Sequence, residues 1–225
     1  MEGLHPTGVL VALRKDNKDF SKAVLGTGCY YAAARYETVQ PNPELPGYLT
    51  VWATAWESPE EAFAEACERV EGFRASLADT DVSTYRWFVS RYPGTGRPLP
   101  GAPASGKRAD AFLSPGHTGL MLYFTMLRDP SREADLHQWY EAHHMPEVMA
   151  IPGFTAYHRF INREAGADRR FLILCEVDDD IVAVGQRMAQ AFARPSREDT
   201  QRMIAEGRLI NYSKSTLGIH FRRVG

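Results

Sequence analysis

The sequence is poor in cysteine, carries almost no net charge and contains no long apolar run. Its three cysteines, Cys29, Cys67 and Cys175, are odd in number and widely spaced, which excludes a disulfide framework and a Cys-x-x-Cys metal knuckle. The formal net charge of −2 provides no overall field that would attract nucleic acid or anionic lipid. The apolar runs fall far short of the roughly 18 residues that cross a bilayer, and the N-terminus lacks a signal-peptide pattern. We therefore expect a cytoplasmic protein that binds neither nucleic acid nor a membrane.

The composition is that of a soluble globular chain, with 225 residues of which 44% are hydrophobic and 24% charged. Near the middle, residues 92–103 are too rich in proline and glycine for a helix or a central strand. This run divides the chain. We predict an N-terminal repeat over residues 1–92, a linker over residues 93–116 and a C-terminal repeat over residues 117–225.

The two halves share one order of predicted elements: a strand, a connection, two strands, a helix and a strand. In the second half the first connection predicts a full helix, residues 131–144, that ends before Pro146. In the first half the corresponding connection, residues 16–28, has room for only a turn or two. The first helix of the N-terminal repeat is therefore expected to be reduced.

Small apolar residues alternate with larger, amphipathic ones along residues 48–56. The alternation predicts that the small residues pack against helices and that Trp52 and Trp56 line a cavity. Trp87, in the last strand of this half, adds an aromatic ring. The alternative is that these indoles fill a core.

The same alternation over residues 171–177 directs Glu176 to the cavity side of its strand, together with Leu172 and Leu174. A carboxylate in an apolar barrel would have a raised pKa and could act as an acid or a base. Alternatively, Glu176 lies at the rim, in water.

Four of the seven histidines fall between His137 and His158. In a regular helix His143 shares the apolar face with Tyr140, while His137 and His144 lie together on its flank. Imidazole beside a phenol in a sheltered site can transfer protons near neutral pH. The alternative is that these are ordinary hydrogen-bonded histidines.

The run Trp-Tyr-Glu-Ala-His-His-Met-Pro-Glu at residues 139–147, followed by Ile-Pro-Gly-Phe at 151–154 and Arg-Phe at 159–160, resembles dimeric α/β-barrel proteins of the EthD-like branch. The resemblance implies an α+β fold in which two ferredoxin-like repeats close their antiparallel sheets into one pseudo-dimeric barrel. Both repeats would lie in one chain, as a monomeric pseudo-dimer or a homodimer. The family's helix histidine falls on His144 and the aromatic residue one turn earlier on Tyr140.

This superfamily hosts several chemistries, so the fold does not fix the reaction. We expect a small-molecule enzyme without cofactor or metal, of the cyclase, isomerase, dehydratase or monooxygenase type, in which His144 transfers a proton with help from Tyr140 or His143. The expected substrate is hydrophobic, aromatic or polyketide-like, and binds in the barrel. The residues expected to contact it are Trp52, Trp56, Trp87, His158 and Glu176.

Three other interpretations remain open. A heme could be bound with His143, His144 or His158 as its axial ligand, because heme proteins occur in the superfamily. A non-heme metal could use His137 and His144 with His158 or Glu176, although the spacing matches no common metal motif. The third is a non-catalytic module that binds a hydrophobic metabolite.

Overall fold

The computed structural model describes residues 6–40, 42–78, 80–87, 112–113, 116–127, 129–162, 164, 166, 169–193 and 213–224. Most of the predicted linker lies outside these residues, so the predicted domain boundaries stay predictions. Among the described residues, no helix is long and apolar enough to cross a membrane.

The described residues of the first half form four strands and three helices. In chain order they are β1 (Gly8–Arg14), α1 (Ser21–Leu25), β2 (Ala32–Thr38), β3 (Tyr48–Thr54), α2 (Pro59–Arg69), α3 (Phe73–Ser76) and β4 (Asp81–Trp87). Helix α2 begins where the sequence signals it, because Ser58 Oγ accepts a hydrogen bond from the Glu61 N–H (3.1 Å) and Pro59 takes the first helical position. The first connection holds only the five residues of α1.

The second half has a longer helical segment in the corresponding place. Its elements are β5 (Gly119–Leu127), a 3₁₀ turn (Pro130–Arg132), α4 (Glu133–Trp139), a π-helical turn (Tyr140–His144), α5 (Met145–Met149), β6 (Phe154–Ile161), β7 (Phe171–Val177), α6 (Ile181–Ala193) and β8 (Ser213–Val224). The prediction that this helix ends before Pro146 is wrong, because the helical segment continues through α5, which contains Pro146.

All eight strands form one closed antiparallel barrel in the order β1-β3-β2-β8-β5-β7-β6-β4. Each half contributes four adjacent strands in the same internal order, β4-β1-β3-β2 and β8-β5-β7-β6. The halves meet at two seams, β2 with β8 and β4 with β6. The predicted α+β fold with a closed antiparallel barrel is confirmed.

The barrel interior is filled by buried apolar side chains from all eight strands, and Phe112 and Leu113 add to it. Leu49, Val51 and Ala53 point into this interior, whereas Trp52 lies outside, where its ring meets that of Phe73 at 5.9 Å. The prediction for the faces of β3 is therefore wrong. Small side chains suit the narrow lumen, and the indole needs the thicker layer beneath α2 and α3.

Strand β7 has the predicted orientation. Leu172 and Leu174 pack inside the barrel, while Phe171, Ile173 and Cys175 pack beneath the helices. The polar residues described below lie on both sides of the sheet. One group lies inside the barrel and the other between the second half-sheet and its helices.

Candidate active site

A π-helical turn sets the direction of the predicted catalytic side chains. Proline at position 146 has no N–H and its ring crowds the carbonyl of the residue four positions earlier, so a regular α-helical ladder cannot pass through it. The wider turn at Tyr140–His144 accommodates this break. Its extra residue also rotates the helix face, so that His144, rather than His143, follows Tyr140 towards the sheet.

The imidazole of His144 lies in an aromatic cage. It stacks on the Trp139 ring at 4.9 Å and on the Phe192 ring at 5.7 Å, with interplanar angles of 16° and 21°. The rings of Tyr140 and Tyr157 meet its edge at 5.1 and 6.1 Å. Helix and sheet thus bring one imidazole and the rings of two tyrosines together.

Arg159, on β6, adds a buried cation to this group. Its guanidinium carbon lies 4.4 Å from the centre of the Tyr140 ring, and its Nη2 donates to His137 Nδ1 at 2.5 Å. Because a guanidinium can only donate, His137 Nδ1 accepts and its proton lies on Nε2, 3.4 Å from Glu133 Oε1. Burial lowers the pKa of Arg159, which nevertheless keeps its proton at any physiological pH.

On the second half-sheet, the buried hydroxyl groups of Tyr157, Thr155 and Thr125 have no hydrogen-bond partner. Burial raises the pKa of Tyr157 well above its usual range, so its phenol stays protonated. Thr125 lines a narrow cleft with Tyr140 and Arg159. Unsatisfied buried hydroxyls are costly and uncommon, and a bound polar ligand would satisfy them.

Inside the barrel, Glu176 is fully buried. Its Oε1 accepts from the Leu113 N–H at 2.9 Å and lies 3.1 Å from His158 Nε2. Burial alone would raise the pKa of Glu176, but the hydrogen bond from His158, the charges of His158 and His117 and the Leu113 amide outweigh it and lower the pKa below its usual value. The predicted location of Glu176 is correct, and the predicted direction of its pKa shift is wrong.

His117 completes this interior cluster, and sequence reasoning missed it. Its Nε2 lies 2.6 Å from the Tyr36 hydroxyl, and its Nδ1 lies 3.1 Å from Arg223 Nη1 and 3.4 Å from Glu176 Oε2. The partners come from β2, β7 and β8, so only the closed barrel reveals them. We name Tyr36, His117, His158, Glu176 and Arg223 the interior cluster.

The residues predicted to bind substrate separate into two groups. Trp87 packs inside the barrel, 5.3 Å from the His158 ring, and so shares the interior with Glu176. Trp52 and Trp56 pack on the opposite side of the first half-sheet. The aromatic-lined cavity predicted inside the barrel is not found, since apolar side chains fill the interior in the described part of the chain.

No group of three or more histidine, cysteine, aspartate or glutamate side chains among the described residues is placed to hold a metal ion. His137 and His144 do not converge. The former lies against Glu133 and Arg159, and the latter between two aromatic rings.

No protein-family model matches the sequence, and no curated protein is similar to it. Solved structures, in contrast, match over almost the whole chain. A chlorite dismutase-like protein, TA0507, has a TM-score of 0.57 at 13% identity and covers 99% of this chain and 96% of its own. An anthrone oxidase-like protein has a TM-score of 0.54 at 14% identity, covering 97% and 91%. A heme-binding protein from Thermus thermophilus has a TM-score of 0.52 at 12% identity, covering 99% and 93%. At these identities the likeness confirms the barrel fold alone.

The heme-binding neighbour raises the question of whether the histidines of this chain fit a heme. His158 is held by Glu176 and lies against the rings of Trp87 and Phe112, while His144 is stacked between two rings. The cleft beside Tyr140 is too narrow for a water molecule. Among the described residues, the imidazoles of His144 and His158 are therefore already engaged, the first by aromatic rings and the second by Glu176 and aromatic rings.

Proposed function

We propose that this protein is a small-molecule enzyme that transfers a proton to and from a hydrophobic aromatic substrate by His144, Tyr140 and Tyr157, without a bound cofactor. One observation carries the proposal: the Tyr157 hydroxyl is buried, protonated and without a hydrogen-bond partner, and its ring adjoins that of His144. A phenol in this condition can donate a hydrogen bond to a bound oxygen atom as soon as one arrives.

Each member of the site has a distinct task in this proposal. The imidazole of His144 takes the proton from a carbon made acidic by a nearby carbonyl group. Tyr157 and the Arg159 guanidinium stabilise the negative charge that develops on the carbonyl oxygen. Proton removal beside a carbonyl group is a step common to cyclisation, isomerisation, dehydration and cofactor-free oxygenation. The proposal therefore specifies this step and leaves the overall reaction among these four types.

The surroundings of His144 favour an aromatic, polyketide-like substrate. The rings of Trp139, Phe192 and Tyr140 offer flat apolar surfaces, and one structural neighbour is an anthrone oxidase-like protein. We therefore place the substrate-binding site between the second half-sheet and the helical segment formed by α4, the π-helical turn and α5, and not inside the filled barrel. Because the cleft is narrow, the helices must move apart when substrate binds.

The test uses anthrone, a tricyclic aromatic ketone with an acidic methylene group, in D₂O and in air. We expect the protein to accelerate the entry of deuterium into the methylene group or the formation of the quinone, as followed by mass spectrometry and oxygen uptake. His144→Ala should abolish the acceleration, while His143→Ala, a change one residue away on the other side of the π turn, should leave most of it. Full activity in His144→Ala would overturn the assignment.

The same sample distinguishes the remaining interpretations. Titration with hemin followed by absorption should give no Soret band that depends on His143, His144 or His158. Such a band would establish the heme alternative. Saturable binding of aromatic ketones with neither deuterium entry nor product would establish a metabolite-binding module. Sedimentation of the same sample decides between a monomeric pseudo-dimer and a homodimer.

A further inference from the structure

In the interior cluster, one nitrogen atom, His117 Nδ1, lies close to both a hydrogen-bond donor and a hydrogen-bond acceptor. His117 Nδ1 lies 3.1 Å from Arg223 Nη1, which can only donate, and 3.4 Å from Glu176 Oε2, which as a carboxylate oxygen can only accept. With a lone pair on Nδ1 the contact with Arg223 is made, and Glu176 Oε2 is left without a hydrogen-bond partner. With a proton on Nδ1 the reverse holds. The two contacts are mutually exclusive.

We propose that His117 is a proton-operated switch at one end of the barrel, bound to Arg223 when neutral and to Glu176 when protonated. In the neutral state Nε2 carries the hydrogen and donates to the Tyr36 oxygen at 2.6 Å. On protonation Nδ1–H turns to Glu176 Oε2, and the guanidinium, now facing an imidazolium, moves towards water. Arg223 is able to do so because it is only partly buried, whereas the His117 and Glu176 side chains are fully enclosed.

The charged and titratable groups around His117 support this order of events. On β7, Glu176 Oε1 accepts from the Leu113 N–H and from His158 Nε2, and both hydrogen bonds stabilise its carboxylate form. On β2, burial raises the pKa of Tyr36 far above its usual value, so the phenol keeps its proton. In the described part of the chain, the other titratable or charged groups are His158 on β6, whose Nε2 faces the other oxygen of Glu176, and Arg223 on β8.

Hydrogen bonding assigns the added proton to His117 rather than His158. In protonated His117 both nitrogens find acceptors, Tyr36 Oη and Glu176 Oε2. His158 already donates to Glu176 through Nε2, and its Nδ1 is buried with no partner. A proton on His158 Nδ1 would therefore be left without an acceptor in a nearly dry site.

His117 lies between two structural contacts at this end of the barrel, the β2–β8 seam and the hydrogen bond from Leu113 to Glu176. Tyr36 and Arg223 face each other across the β2–β8 seam between the halves. Glu176 binds the backbone of Leu113, which has a φ of +57° that a leucine rarely adopts. Proton uptake therefore transfers His117 Nδ1 from Arg223, at the seam, to the carboxylate that anchors the segment 112–113.

The test is two-bond ¹H–¹⁵N NMR of protein labelled on histidine nitrogens, recorded from pH 8 to pH 5, with the His117 signals identified by their loss in His117→Asn. We expect Nδ1 of His117 to change from a lone-pair nitrogen to an N–H nitrogen on acidification. Glu176→Gln should lower its protonation midpoint by more than one pH unit. Arg223→Gln should raise the midpoint by at least half a unit.

Arg222→Gln is the matched control, since it removes the same charge from the exposed neighbouring residue and should shift the midpoint less than Arg223→Gln does. The Arg223 and Arg222 variants change residues with solvent contact, so the test stands even where Glu176→Gln fails to fold. The proposal is overturned if His158 takes the proton first, or if Arg223→Gln and Arg222→Gln shift the midpoint equally.

Discussion

We expect Tyr157→Phe to separate stability from activity. The substitution removes one oxygen atom and leaves the packing of the ring unchanged. That oxygen is buried in the folded protein and has no hydrogen-bond partner, whereas it is hydrated when the chain unfolds. Removing it therefore deletes a desolvation cost that only the folded state bears.

The expected gain follows from the usual cost of an unsatisfied buried hydroxyl, about 1–3 kcal/mol in proteins. We expect Tyr157→Phe to raise the free energy of unfolding by about 1 kcal/mol, at the low end of this range. Tyr30 provides the matched control in the other half of the barrel, because its hydroxyl is also buried without a partner. Tyr30→Phe should be stabilised to a similar extent.

The assay is urea unfolding followed by tryptophan fluorescence, paired with the anthrone reaction. Turnover should fall about 100-fold or more in Tyr157→Phe, the usual contribution of a positioned proton donor, and should be unchanged in Tyr30→Phe. A loss of stability above 1 kcal/mol in Tyr157→Phe would show that the hydroxyl is bonded in the free protein. Unchanged turnover would remove Tyr157 from the proposed chemistry.

Three further predictions follow from the same contacts. Tyr36→Phe should lower the free energy of unfolding in urea by about 1–3 kcal/mol, because it leaves Nε2 of the buried His117 without its partner at 2.6 Å. Gly153→Ala should be more destabilising than Gly28→Ala in the same assay: both have positive φ, at a cost of about 1–2 kcal/mol, but only at Gly153 would the new Cβ lie 2.6 Å from a neighbouring side-chain carbon. Burial lowers the pKa of His220, so the unfolded chain takes up its proton first as the pH falls below about 6.5; the wild type should lose stability relative to His220→Gln between pH 7 and pH 5.

The order of strands and helices follows from local and repeated signals, whereas their closure into one barrel is implied by the family resemblance of residues 139–160. The alternation in residues 171–177 correctly separates Leu172, Leu174 and Glu176, which lie inside, from Phe171, Ile173 and Cys175 on the other face. The same alternation fails for β3, where Trp52 lies outside. Alternation separates the faces of a strand but does not say which face meets the lumen, and the lumen's width depends on all eight strands.

The polar sites are harder to predict because their geometry is long-range. The π turn at Tyr140–His144 exchanges His143 for His144 on the sheet side, an effect that a regular helical wheel cannot show. The His117 imidazole meets partners 81 and 106 residues away in the chain, Tyr36 and Arg223. Pro146 is the local signal for the π-helical turn. No local pattern in the sequence indicates the partners of His117.

The two halves share a strand order but differ at the place where a site can form. At the fifth position of the third strand, β3 has Trp52 and β7 has Cys175, and both side chains lie beneath the helices of their half. In the first half the indole packs against Phe73 and occupies the space between sheet and helices. In the second half the much smaller thiol leaves that space to the neighbouring strand β6, from which Tyr157 and Arg159 reach Tyr140 on the helical segment. One large side chain thus explains why the phenols, the guanidinium and the caged imidazole gather in the second half, and why we place the chemistry there.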